Sequence, residues 1–62
     1  MNKSEQREII KLVRYYKAGA NTGMLARGLS ALIRSSRTTK SQQALKEYAP
    51  LLGVQNHPDY IV

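Results

Sequence analysis

Apolar side chains recur along this chain at helical spacing, and nowhere before the last nine residues do they alternate as a strand requires. Ile9, Leu12, Val13 and Tyr16 stand at i, i+3, i+4 and i+7, the spacing of one buried helical face. Leu25, Leu29, Leu32 and Ile33 form a second such face, and Ala44, Leu45 and Tyr48 a shorter third. Turn chemistry separates the three. The pattern predicts a small all-α domain of three helices, with or without a short fourth helical turn, followed by an irregular C-terminal tail.

Local signals set the expected limits. The first helix should run from about Ser4 to Lys17, with Asn2 or Ser4 accepting its free first-turn amides and Gly19 ending it. The second should start near Asn21 or Thr22 and end at about Arg34. Gly28 lies beside its inner face, where the missing side chain lets another helix approach; Arg27, Ser30 and Arg34 should point outward. Ser35–Thr39 reads as a turn, with Thr39 capping the third helix and Gln42 reaching back to it. That helix should extend to about Tyr48. Pro50 disfavours helical geometry at Ala49 but could open a further turn through Leu51 and Leu52 before Gly53. The expected division is a helical domain over 1–53 and a tail over 54–62. Tyr60, Ile61 and Val62 could either fold back or pair with another chain.

Length limits the stability of such a fold. A chain of 62 residues buries only about 60% of its unfolded surface, and the absence of cysteine excludes both a disulfide scaffold and a thiolate zinc site. The expected core is thin, so association with a second copy or with a ligand is a natural expectation. The opening MNKSEQREII lacks the apolar segment of a secretory signal, and no apolar run approaches the ~20 residues of a membrane span. A soluble, cytoplasmic protein is expected, with no membrane partner.

Charge is the feature that points toward function. The chain carries ten Lys or Arg against four Asp or Glu, a net charge of +6. Stepping ~100° per residue around the first helix puts Lys3, Arg7, Lys11, Arg14 and Lys17 within an arc of roughly 120°. Glu5 and Glu8 should lie away from that stripe. Any amphipathic helix needs a solvated face, and five cations could simply supply one. A second basic group, Arg27, Arg34, Arg37, Lys40 and Lys46, is opposed only by Glu47 over the second and third helices. Basic excess in both halves favours a phosphate polymer through counterion release. Tyr15, beside the ridge, could stack on a base, whereas Tyr16 belongs with the core.

The third helix carries the one hint of base reading. Gln42 and Gln43 have the carboxamides that pair adenine, and Lys46 reaches guanine or phosphate. Such a helix would be the second element of a helix–turn–helix, with Arg37 clamping the backbone. The expected five-residue, glycine-free connection is longer than that motif's usual three to four residues.

Catalysis is not expected. His57 is the only histidine and lies in an Asn56–Pro58 turn, with Asp59 the one acid nearby and no partner set for a metal. The glycines match no phosphate-loop spacing, and no cofactor is implied. The leading expectation is a non-enzymatic, nucleic-acid-binding regulator or accessory factor. Its phosphate contacts would come from Lys3, Arg7, Lys11, Arg14, Lys17, Arg34, Arg37 and Lys40, and its base contacts from Gln42, Gln43 and Lys46. The alternative is a protein-interaction or adaptor module, homodimeric or bound to an acidic protein through Leu51, Leu52, Val54, Tyr60, Ile61 and Val62.

Overall fold

The computed structural model describes the whole chain, Met1–Val62. Four helices follow one another: α1 (Lys3–Lys17), α2 (Thr22–Ser35), α3 (Thr39–Lys46) and α4 (Tyr48–Leu52). No strand is present, and no helix is long and apolar enough to cross a membrane. Helix α2 is the central element, packed against α1, α3 and α4. It supplies Leu25, Ala26, Leu29 and Ile33 to a core completed by Ile9, Leu12, Leu45, Ala49, Leu52 and Val54.

Each helix limit has a local cause. Asn2, not Ser4, caps α1: its side-chain oxygen accepts the Glu5 amide at 2.8 Å, and the Glu5 carboxylate accepts the Asn2 amide at 2.9 Å. At the other end Gly19, at φ +84°, closes α1 with amides donated from Gly19 to Tyr16 and from Ala20 to Tyr15. Gly53, at φ +70°, closes α4 in the same way, with Val54 donating to Ala49. Asn21 caps α2 by accepting the Gly23 amide at 2.7 Å. At Gly28, an added Cβ would stand 2.8 Å from Leu12 Cδ2, so the expected close approach is that of α1.

The connection between α2 and α3 is shorter than expected, three residues (36–38) and not five. Ser35 stays helical because its hydroxyl donates back to the Leu32 carbonyl at 3.0 Å, satisfying the group that was expected to break the helix. The α3 cap is accordingly Thr38, whose hydroxyl accepts the Ser41 amide at 3.1 Å. Ala49 is helical despite preceding proline. The chain restarts at Tyr48, so Pro50 falls in the first turn of α4, where its missing N–H leaves no gap in the helix.

Two burial expectations are revised. Tyr16, expected with the core, is half-exposed. Ser30, expected to point outward, is buried. The tail supplies the reason: it folds back across this flank of α2, where the Ser30 hydroxyl donates to the Ala26 carbonyl at 2.7 Å and accepts the Ile61 amide at 2.9 Å. Arg27 ties the same segment down through an ion pair with Asp59 at 2.9 Å. Val54 is fully buried and Tyr60 packs against the core, so residues beyond Gly53 complete the body they follow.

Candidate nucleic-acid interface

The rotation of α1 about its own axis decides where its cations point. Two contacts fix that rotation. Leu12 packs over Gly28 of α2, and Glu5, an acid buried in the first turn, sits by Ser36 and Ser41 at the α2–α3 connection. The Ser36 hydroxyl and the Asn2 amide, with a smaller contribution from the Ser41 hydroxyl, hold the Glu5 carboxyl below the usual carboxylate range, against the opposing effect of burial. Ser36 faces the carboxylate without closing a hydrogen bond of full geometry, and its hydroxyl has no other partner. Glu5, Ile9 and Leu12 therefore form the buried line of α1.

Opposite that line, roughly 180° round the helix, run Lys3, Arg7, Lys11, Arg14 and Lys17. All five are exposed. The ridge extends ~20 Å along a molecule whose longest dimension is 29 Å. One acid approaches it, contrary to the expected separation. Glu8 accepts from Lys11 at 3.4 Å across one turn, with both side chains more than half exposed. Such a pair contributes at most about 0.5 kcal/mol and competes weakly with a phosphate. Ile10 is exposed at one margin of the ridge and Tyr15 at the other.

The remaining candidate cations stand outside α1. Arg34, Arg37 and Lys40 are exposed around the α2–α3 connection. The docking of Glu5 there brings Lys3 to the same end of the molecule, while Arg14 and Lys17 lie at the far end. Arg34 occupies the tail-facing flank of α2, roughly 120° round from Gly28 and the α1 contact. Of the ten Lys and Arg, only Lys11 and Arg27 are in ion pairs, which leaves eight without a carboxylate partner.

Helix α3 departs from its expected role. Gln42 is half-buried, and its Nε2 donates to the Ser36 carbonyl at 3.1 Å, so the carboxamide is occupied in holding the α2 terminus. Gln43 and Lys46 are exposed, but Glu47 shares the stripe of Lys40 and Gln43 and places a negative charge on the face that would meet DNA. His57 takes part in the tail turn, its Nδ1 accepting the Asp59 amide at 3.0 Å. Sequence spacing did not disclose Glu5 or Ser30 as positioning groups. The Asn2-x-x-Glu5 capping pattern was the available signal for the first, and nothing local marked the second.

Comparison with protein-family models, curated proteins and solved structures finds no match to this chain.

Proposed function

We propose that this protein is a non-enzymatic nucleic-acid-binding factor that grips phosphate through α1. The observation that carries this reading is the outward face of α1: five exposed cations in line, with only Lys11 in an ion pair. Like charges at i, i+4 destabilise a helix. An anionic polymer would relieve that repulsion and release counterions on binding. Arg37 and Lys40 add positive potential near the Lys3 end.

Binding to duplex and single-stranded oligonucleotides, followed by fluorescence anisotropy over a salt series, tests the proposal. Five phosphate contacts on B-DNA give a log–log slope of about −4.5. Failure to bind at ~50 mM salt, where such contacts are strongest, would refute it. The protein-interaction reading has narrower support. Leu52 and Val54 are in the core, which leaves Leu51, Ile61 and Val62 as the exposed apolar surface available to a partner. Sedimentation over a dilution series tests self-association through them.

A further inference from the structure

We infer that α1 forms the principal nucleic-acid contact, tracking the sugar–phosphate backbone without reading base sequence, and that α3 is not a recognition helix. This inference rests on the phosphate-binding reading and specifies its ligand: any duplex of sufficient length, whatever its sequence.

Three observations support it. The first is the chemistry of the outward α1 face. Lys3, Arg7, Lys11, Arg14 and Lys17 present donors only, which suit phosphate oxygens; guanine is the one base edge they could pair, since no carboxamide or carboxylate lies among them for adenine or cytosine. Gln6, the nearest carboxamide, lies off the stripe and donates to the Met1 carbonyl at 3.2 Å. The second is spacing. Successive cations advance by four, four, three and three residues, or ~6 and ~4.5 Å along the axis. The resulting ~20 Å line matches the axial rise of about six base pairs at 3.4 Å each. The third is the state of α3. A three-residue connection after α2 matches a helix–turn–helix. Nevertheless, Gln42 is engaged by Ser36 and Glu47 lies in line with Gln43, so the helix offers the groove one free carboxamide beside a repelling charge.

Anisotropy with the full chain separates the alternatives. The labelled probe is a 20-base-pair duplex, competed by unlabelled duplexes of equal length and unrelated sequence. Unrelated competitors should displace the probe within about threefold of one another, as backbone contacts carry no sequence information. From 50 to 200 mM salt, the wild-type affinity should fall by about 500-fold, and that of R7Q/K11Q/R14Q by about 10-fold, since three of five contacts are gone. Gln43→Ala should change affinity by less than twofold. Thermal melts followed by circular dichroism confirm that both variants are folded. Discrimination of 100-fold or more between sequences, or a tenfold loss on Gln43→Ala, overturns the inference and leaves phosphate binding standing. No binding of any duplex at ~50 mM salt overturns both.

Discussion

Helices α1 and α3 are both basic and both exposed on one side, yet their outer faces are built differently. On α1, the polar groups that serve the fold are confined to its inner line and its cap: Asn2 and Glu5 bond to one another, and Glu5 docks against the α2–α3 connection. Its outer face is left to the cations. On α3 the two tasks are mixed. Thr38 caps, Gln42 holds the Ser36 carbonyl, and Glu47 interrupts the positive charge. A count of Lys and Arg would not separate these helices; what distinguishes them is whether the polar side chains are already employed.

Mutations that probe this contrast should fall in a definite order. The largest effect belongs to neither outer face. Leu45→Ala, at a fully buried position where α3 meets the core, should cost about 2–5 kcal/mol in denaturant unfolding. Ser30→Ala should come next at about 1–3 kcal/mol, because the Ile61 amide loses its acceptor. Hydrogen exchange at Ile61 should accelerate in step. Gln42→Ala should cost about 0.5–1.5 kcal/mol by freeing the Ser36 carbonyl. A stability loss from this half-buried residue at the side of α3 would mark its structural employment. The smallest change per site is expected from R7Q/K11Q/R14Q on α1, within about 0.5 kcal/mol at each position. A triple variant that unfolds would show that the ridge serves the fold after all.

Acid unfolding sharpens the contrast from the inner side of α1. The Glu5 carboxyl titrates lower when folded than when unfolded. Its contribution is therefore present above the ordinary glutamate range and lost as pH falls through the lower, folded value. Glu5→Gln should flatten the acid limb of the stability profile, measured by chemical denaturation at a series of pH values. An unchanged acid limb would mean that the carboxylate has no folding role.

Much of the architecture was legible in the sequence because it follows from local rules. Apolar spacing identified α1 and α2, Gly19 marked a helix end, and Gly28 announced a close crossing. The errors lay where distant groups decide. Ser35 was expected in a turn, but an intrahelical carbonyl satisfies its hydroxyl. Ser30 was expected outside, but the tail covers it from 31 positions away. Gln42 was expected to reach Thr39 or a base, and it found a carbonyl six residues back. For the candidate interface, the angular position of the α1 cations was readable from the helical period alone. Whether they met Arg34, Arg37 and Lys40 depended on how α2 turns those groups in space, which no local pattern encodes.

The two-point docking of α1, at Glu5 and at Leu12, makes this helix phase-locked. One residue inserted between those positions would swing everything beyond it by about 100°. Leu12 would leave Gly28, and Lys11, Arg14 and Lys17 would fall out of register with Lys3 and Arg7. An insertion of seven residues nearly restores the phase, because two turns take 7.2, but it adds about 10.5 Å of rise, so Glu5 and Leu12 could not both keep their partners. Length variation in this helix is thus confined to the stretch beyond Leu12, where added turns would lengthen the ruler for phosphate without disturbing either docking point.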